Sequence, residues 1–293
     1  MRIGNLDGRL VLVTESGAVD VASASDGEFG PDPQAIYSRW DAFTGWAAGV
    51  DLGTLPAGPF EPGRLGAPVP RPGQLFAIGL NYREHAAESG LAIPEFPPVF
   101  TKFRGSITGP RGPVVLAGET VDWEVELVVV IGRTARDVAE ADAWDHVAGL
   151  TAGQDISERT VQLVGPAPQF SLGKSFPGFT PMGPWLVTVD ELVAAGLDPD
   201  ALDLGCTVNG ESVQSGTTAD LIFSVPALIA KLSAVLPLEP GDVIFTGTPA
   251  GVGAARDPRR FLREGDHLVS TIAGIGELSQ HFVAKPVSSS KEM

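Results

Sequence analysis

Two glutamates, Glu124 and Glu126, stand at the entrance of an apolar run that continues to Gly132. β-Branched residues dominate this run and favour a buried strand, whose alternating side chains would place both glutamates on one face. Two like charges buried side by side are costly unless a divalent cation cancels them. Asp155 offers a third carboxylate, and an oxygen-only ligand set suits Mg²⁺, with Mn²⁺ or Ca²⁺ as substitutes, rather than Zn²⁺. The competing interpretation is an edge strand with one solvated face.

A histidine and a glutamate, His85 and Glu88, are spaced three residues apart in a segment with helical signals. Asn81 followed by Glu84 resembles a capping box, and Gly90 supplies a stop, so we expect a helix of about two turns. Residues at i and i+3 share a helix face, and a carboxylate can orient an imidazole that acts as a general base. An exposed helical ion pair is the alternative.

Two predicted loops carry groups that can contact an anionic ligand. Lys174 lies between a glycine and a serine, where its ammonium group could meet an acidic substrate or a developing enolate. A surface lysine is the default alternative. The glycine-rich run 246–253 lacks the Lys-Ser/Thr end of a phosphate loop and the Gly-x-Gly-x-x-Gly of a dinucleotide fold. We interpret it either as backbone that approaches a ligand closely, with Thr248 offering a hydroxyl, or as a structural turn.

Composition argues against several classes of partner. The 293 residues contain 20 Lys and Arg against 36 Asp and Glu, a net charge of −16, which argues against nucleic acid and against an anionic membrane surface. No apolar run approaches the roughly 20 residues of a membrane span, and the first residues lack the apolar core of a signal peptide. We therefore expect a cytoplasmic protein. The single cysteine, Cys206, allows no intrachain disulfide and is interpreted as a small buried hydrophobe.

Local patterns predict a strand-dominated mixed α/β protein. The 36 Gly and 25 Pro disfavour a helix bundle and favour short strands joined by turns. Alternating and β-branched segments predict strands at 9–14, 18–22, 75–79 and 243–246, and Asn209-Gly210 predicts a hairpin.

Helical spacing is present in three further segments, at 34–48, at 138–150 and from an N-cap at Ser224 to about residue 235. The segment 53–73 is rich in Pro and Gly, shows no regular pattern, and marks a domain boundary. The serine-containing tail at 287–293 is expected to be disordered.

Five segments, taken in this order, resemble the fumarylacetoacetate hydrolase superfamily: 79–88, 122–127, 154–159, 173–176 and 240–253. The resemblance spans about residues 70–284. It implies a catalytic domain of the family's β-roll type at 69–286, preceded by a small N-terminal α+β domain at 1–68. Because members are usually dimeric, it also implies a homodimer.

The resemblance implies roles for individual residues: metal ligands holding Mg²⁺ or a similar ion at Glu124, Glu126 and Asp155, catalytic groups at His85, Glu88 and Lys174, and substrate-binding groups at Lys102, Arg159, Gln162 and Thr248. In the family, the His and Glu lie on a short helix that closes over the substrate. The motif that contains Arg159 and Gln162 usually has an acidic residue where this chain has Thr160.

The function implied by the resemblance is a Mg²⁺-dependent hydrolase that cleaves a C–C bond of a small 2,4-dioxo acid through an enolate. Such substrates include fumarylacetoacetate, acylpyruvates and 2,4-diketo-3-deoxy sugar acids, and segments 155–159 and 183–188 look most like the sugar acid hydrolases. One alternative is an isomerase or decarboxylase of hydroxymuconate- or oxaloacetate-like diacids at the same site. A different class of alternative is a non-catalytic binding protein that a metal stabilises.

Overall fold

The computed structural model describes residues 1–286, so the predicted disorder of 287–293 lies outside the described residues. Strands dominate, as the sequence predicts. In chain order they are β1 (Arg2–Leu6), β2 (Arg9–Thr14), β3 (Gly17–Asp20), β4 (Leu65–Gly66), β5 (Leu75–Ile78), β6 (Val99–Thr101), β7 (Ile107–Thr108), β8 (Arg111–Val115), β9 (Val121–Asp122), β10 (Val125–Ile131), β11 (Val147–Gln154), β12 (Ser157–Glu158), β13 (Thr180–Val187), β14 (Asp203–Val208), β15 (Glu211–Thr217), β16 (Val243–Phe245), β17 (His267–Ile272) and β18 (Gly276–Val283).

The α-helices of the described residues are short. They are α1 (Val21–Ala24), α2 (Trp40–Ala48), α3 (Arg83–Glu88), α4 (Arg159–Gln162), α5 (Phe170–Gly173), α6 (Val189–Ala194) and α7 (Val225–Ser233). No helix within residues 1–286 has the length and hydrophobicity needed to cross a membrane.

Two sheets contain most of the strands. The larger sheet has eleven strands in the order β3-β2-β1-β13-β11-β10-β16-β5-β6, with β4 beside β1 and β7 beside β13. The smaller sheet has five strands in the order β15-β14-β17-β18-β8, and β9 pairs separately with β12. A hydrophobic core that includes α7 joins the two sheets. The strand-dominated mixed α/β prediction is therefore confirmed.

Strand β10 lies in the interior of the larger sheet, and every residue in it is buried. Val125, Leu127 and Val129 belong to the core between the two sheets, whereas Val128 and Val130 belong to a second core beneath the N-terminal strands and α2. The strand therefore packs on both faces. This arrangement confirms the buried strand and excludes the solvated edge strand, because neither face of β10 is open to water.

The N-terminal strands extend the larger sheet, because β1 pairs antiparallel with β13. The segment 53–73, which we expected to be irregular, contains a 3₁₀ turn at Pro62–Arg64 and the two-residue strand β4, which pairs with β1. Chain on both sides of the predicted boundary thus shares one sheet. The division into domains at 1–68 and 69–286 stays a prediction.

Local signals located several elements correctly. Strand β2 has the predicted bounds, and α7 begins after Ser224, whose side chain accepts the Ala227 N–H. Asn209 and Gly210 connect β14 to β15 with φ angles of 54° and 82°. Asn-Gly favours two-residue hairpin turns because both residues tolerate positive φ.

The helix predicted at 138–150 is wrong in its second half. The chain forms a 3₁₀ helix at Glu140–His146 and then becomes β11. Almost all of β11 is buried, and a continuous buried run does not distinguish a strand from a helix by its periodicity. Asp155 consequently follows a strand of the larger sheet rather than a helix. The helix predicted at 34–48 begins later, at Trp40, after a 3₁₀ turn.

Candidate active site

The three predicted carboxylates meet at one end of the larger sheet. Glu124 precedes β10, Glu126 lies within it, and Asp155 follows β11. The antiparallel pairing of Val125 with Gln154 brings these two strand ends together. One carboxylate oxygen from each acid lies within 4.8 Å of the others, and all three residues are buried.

Two buried cations neutralise part of this cluster. Lys174 Nζ donates to Glu124 Oε2 at 2.7 Å and also to Asp155 Oδ2. Arg159, the first residue of α4, pairs through Nη1 with Glu124 Oε1 at 2.6 Å. Burial opposes ionisation of Glu124, but Lys174 and Arg159 hold the pKa of its carboxyl well below the ordinary value. Glu124 is therefore ionised at neutral pH.

Glu126 has no comparable cationic partner within the described residues. Its Oε2 accepts the Gly247 N–H at 2.8 Å, and burial together with the carboxylates of Asp155 and Glu124 raises its pKa well above the ordinary value. Gly247 has a φ of 103°, and a Cβ there would lie 2.7 Å from Asn81 Cβ. The glycine is needed here because a side chain would be both strained and obstructed. The glycine-rich run thus brings its backbone to Glu126.

This cluster fits a divalent cation. A buried carboxylate beside two others lacks positive charge, and a divalent cation between them would supply it. The nearby ligand atoms are carboxylate oxygens, which Mg²⁺, Mn²⁺ and Ca²⁺ accept, whereas structural Zn²⁺ sites draw on Cys and His. The residues that would hold the ion are Glu124, Glu126 and Asp155.

Lys102 lies behind Asp155. Its buried ammonium group donates to Asp155 Oδ1 at 2.5 Å, to the Lys174 carbonyl at 2.5 Å and to the Phe179 carbonyl at 3.0 Å. An ammonium group has three donors, and all three are used. This geometry does not support the predicted contact between Lys102 and substrate. Lys102 orients Asp155 instead.

The predicted pair of His85 and Glu88 forms on α3. His85 Nδ1 lies 2.6 Å from Glu88 Oε1, and Glu88 Oε2 accepts the Gly251 N–H at 2.9 Å. The two side chains are only 11% and 21% exposed, so the pair is not a solvated ion pair on a helix surface. Pairing at Nδ1 leaves Nε2 to exchange a proton with water or substrate.

The capping box predicted before α3 does not form. Tyr82 occupies the N-cap position. The buried Asn81 side chain instead donates to the Phe223 carbonyl at 3.0 Å and the Thr246 carbonyl at 2.7 Å, and accepts the Phe223 N–H at 2.8 Å. Asn81 therefore ties the start of α3 to the segments before α7 and after β16.

Thr248 and Gln162 line the same cavity as the carboxylates, but both also bind protein groups. Thr248 Oγ1 donates to the Val125 carbonyl at 2.9 Å and accepts from Gln214 Nε2 at 2.8 Å. Gln162 Oε1 accepts from Arg159 Nη1 at 2.9 Å. Their substrate-binding roles stay predictions.

A cavity of about 820 Å³ brings the candidate groups together. Its polar lining contains His85, Glu88, Glu124, Glu126, Arg159, Gln162, Lys174 and Thr248. A groove of about 1020 Å³ on the smaller sheet is larger, but within residues 1–286 the metal-ligand cluster lies at the first cavity and not at this groove. We therefore place the functional site in the 820 Å³ cavity.

Two buried residues that organise the site had no predicted role. Asp122 Oδ1 accepts the Gly253 N–H at 2.7 Å, and its Oδ2 accepts from Arg159 Nε at 2.9 Å. Asp122 thereby joins the glycine-rich loop to α4. Gln214, from the smaller sheet, binds Val125 and Thr248. Asp122 could have been found from the sequence, because it lies next to Trp123 and close to the predicted ligand Glu124. Nothing in the sequence pointed to Gln214, because its partners are distant in sequence.

Comparison with known proteins gives a consistent assignment. The family model for the C-terminal region of fumarylacetoacetate hydrolase matches residues 74–283. A Dictyostelium discoideum homologue of fumarylacetoacetate hydrolase domain-containing protein 2 is 39% identical over 288 residues, which cover 94% of this chain and 93% of the relative. The human mitochondrial oxaloacetate tautomerase FAHD2A is 45% identical over 212 residues, which cover 72% of this chain and 66% of the relative.

Two solved structures extend the likeness to the fold. The crystal structure of an HpcE protein from Mycobacterium smegmatis is 57% identical with a TM-score of 0.91, covering 97% of this chain and 99% of that one. Maleylpyruvate hydrolase from Sphingobium sp. SYK-6, in complex with manganese(II) and pyruvate, is 29% identical with a TM-score of 0.74, covering 97% of this chain and 99% of that one. This chain belongs to the fumarylacetoacetate hydrolase family.

Proposed function

We propose that this protein is a hydrolase that cleaves a C–C bond of a 2,4-dioxo acid and uses Mg²⁺ as its divalent cation. One observation carries the proposal: a cluster of three carboxylates shares a cavity with a buried His85–Glu88 pair and with Lys174. The similar maleylpyruvate hydrolase, described in complex with manganese(II) and pyruvate, supports this combination of a divalent cation and an oxo acid.

The residues divide the chemistry among them. A cation held by Glu124, Glu126 and Asp155 would supply Lewis-acid polarisation at the 2-oxo acid end of the substrate. His85, oriented by Glu88, takes a proton from water as the water oxygen bonds to the C4 carbonyl carbon.

The C3–C4 bond then breaks, and its electron pair passes to C3, which a proton converts to the methyl group of a 2-oxo acid. The C4 fragment leaves as a second carboxylic acid. Lys174 uses two of its three donors on Glu124 and Asp155, so one N–H remains to stabilise the negative charge that develops on the substrate.

A second candidate is a tautomerase or isomerase of an oxo diacid, which needs proton transfer at C3 without bond cleavage. The specific observation in its favour is the human relative, named as an oxaloacetate tautomerase. The same His85–Glu88 pair would move the proton. Water positioned at C4 separates the two reactions, because only hydrolysis requires it.

A non-catalytic protein stabilised by a metal is less well supported. A structural cation needs its ligands only, yet His85 and Lys174 line the cavity beside the carboxylates. The homodimer and the cytoplasmic location stay predictions, and the human relative is named as mitochondrial.

The test is to incubate the Mg²⁺-loaded protein with a series of acylpyruvates, 2,4-diketo-3-deoxy sugar acids and oxaloacetate. Release of a 2-oxo acid together with a carboxylic acid is the expected result, and a chelator should abolish it. Loss of the enol absorbance of oxaloacetate, without release of pyruvate and CO₂ and without cleavage of any 2,4-dioxo acid, would establish the tautomerase instead. A protein that binds the cation but changes none of these compounds would contradict both enzymatic candidates.

A further inference from the structure

We propose that Arg256 and Arg259 form an anion subsite that binds a second carboxylate of the substrate, so that the site selects oxo diacids over oxo monoacids. This inference deepens the proposed function and rests on it for the position of the 2-oxo acid end. Both arginines line the 820 Å³ cavity that contains the carboxylate cluster.

The glycine-rich loop places these arginines beyond the metal-binding groups. Three backbone N–H groups along this loop donate to carboxylates. The Gly247 N–H binds Glu126, the Gly251 N–H binds Glu88 and the Gly253 N–H binds Asp122. The loop therefore follows the cavity wall from the carboxylate cluster past the candidate base. The chain that continues from it, at 254–259, carries both arginines into the lining of the same cavity.

The inner cations are already neutralised. Lys174 contacts Glu124 and Asp155, and Arg159 pairs with Asp122 and Glu124. A divalent cation would serve the 2-oxo acid end of the substrate. Any second anionic group therefore needs a cation elsewhere in the cavity.

Arg256 is a fixed cation without a carboxylate partner among residues 1–286. Its Nη2 donates to the Val213 carbonyl at 2.8 Å, its Nε to the Gly251 carbonyl at 3.4 Å, and its guanidinium lies 5.6 Å from the centroid of the Trp123 ring. Neighbouring Arg260, by contrast, pairs with Glu211 at 2.7 Å. Carbonyls and an aromatic ring orient a guanidinium but supply no negative charge to pair with it, so the N–H groups of Arg256 that bind no carbonyl are available to an anion in the cavity.

Arg259 is exposed at the rim of the cavity and also has no carboxylate partner within the described part of the chain. Asp257 is exposed on the same rim. The two arginines and this aspartate leave a net of one positive charge there, in a chain whose net charge is −16. A local positive site in an acidic protein attracts and orients an acidic substrate.

The experiment measures binding rather than turnover. Calorimetry on the Mn²⁺-loaded protein would compare 2-oxo diacids of four to eight carbons with 2-oxo monoacids of the same carbon number. Both series lack the 4-oxo group that hydrolytic cleavage needs. At the carbon number that fits best, we expect the diacid to bind about tenfold more tightly, since a charge-assisted pair is lost in the monoacid. Arg256→Gln and Arg259→Gln should each reduce this ratio by at least about threefold and leave monoacid affinity unchanged.

Arg263→Gln is the matched control, because Arg263 is exposed on the same segment but does not line the cavity. Equal affinity for diacid and monoacid at every length would overturn the subsite. A parallel loss of both affinities in Arg256→Gln, with no effect of Arg259→Gln, would show that Arg256 only supports the loop. A fourth outcome is that the protein prefers diacids, loses that preference in these variants and yet cleaves no 2,4-dioxo acid. That result would support the anion subsite and contradict the proposed hydrolase.

Discussion

The Gln214 side-chain oxygen accepts the backbone N–H of Val125, the residue between the two glutamates, at 3.0 Å. The same side chain donates to Thr248 Oγ1 and to the Pro249 carbonyl, both at 2.8 Å. One buried amide from the smaller sheet thus holds both the carboxylate strand and the glycine-rich loop. Groups that orient metal ligands in this way affect metal affinity although they do not touch the metal.

Gln214→Leu is accordingly expected to weaken Mn²⁺ binding by about 10- to 100-fold, measured by calorimetry. Gln280→Leu is the control, since Gln280 is also buried in the smaller sheet but donates to the Pro110 carbonyl, away from the site. Gln214→Met, which is similar in length and uncharged but makes none of these hydrogen bonds, is a second variant to use if the leucine variant does not fold. Wild-type Mn²⁺ affinity in both Gln214 variants would exclude a positioning role.

Glu126→Gln should separate stability from metal binding. The amide oxygen can still accept the Gly247 N–H, while the variant removes a carboxyl group whose ionisation is opposed by burial and by the carboxylates of Asp155 and Glu124. At neutral pH, with metal ions removed by a chelator, we expect the free energy of unfolding of the variant to exceed that of the wild type by about 1 to 3 kcal/mol. Urea denaturation measures this difference. Stabilisation by added Mg²⁺ or Mn²⁺ should be lost. A variant that remains stabilised by these ions as strongly as the wild type would remove Glu126 from the ligand set.

His85→Ala should lower kcat by about 10² to 10⁴ while leaving Mn²⁺ affinity nearly intact, because the ring acts as a base and is not a metal ligand. Turnover of a 2,4-dioxo acid and calorimetry with Mn²⁺ are the two measurements. His281→Ala is a suitable control, since His281 is exposed on β18. Equal kcat in the His85 variant would exclude it from the mechanism.

Asn81→Ala should destabilise the fold by about 2 to 4 kcal/mol, because it leaves buried backbone groups of Phe223 and Thr246 without their partner. The midpoint of chemical denaturation measures this loss. A true capping residue would cost only about 1 kcal/mol. A loss that small would show that the three bonds contribute little.

Cys206 should resist thiol reagents in the folded protein. Burial raises the pKa of its thiol above the ordinary value, so the reactive thiolate is scarce at neutral pH and begins to form only at a higher pH than for an exposed cysteine. We expect a thiol reagent to label Cys206 slowly at pH 8 and rapidly in denaturant. The absorbance of the chromophore that the reagent releases measures the labelling rate. Fast labelling of the native protein would contradict this burial. The thiol ionises at a lower pH in the unfolded chain than in the folded protein, so its contribution to the free energy of unfolding falls as the pH rises above the ordinary thiol pKa.

The sequence by itself determined the chemistry of the site. Strand periodicity predicted that Glu124 and Glu126 share a face, and the structure brings both carboxyl groups together with Asp155. Helical spacing likewise predicted the pairing of His85 and Glu88. These relationships are local or follow from side-chain chemistry, so periodicity and residue type are sufficient to find them.

Only the tertiary structure decided which distant groups meet. Asn81 binds residues more than one hundred positions away instead of capping α3, Lys102 supports Asp155 instead of reaching the cavity, and 147–154 is a strand because its neighbours in the sheet pair with it. Hydrogen bonds and ion pairs between such distant segments depend on how the sheets pack. A local pattern contains no information about those partners, and the energy of a buried polar group depends on them.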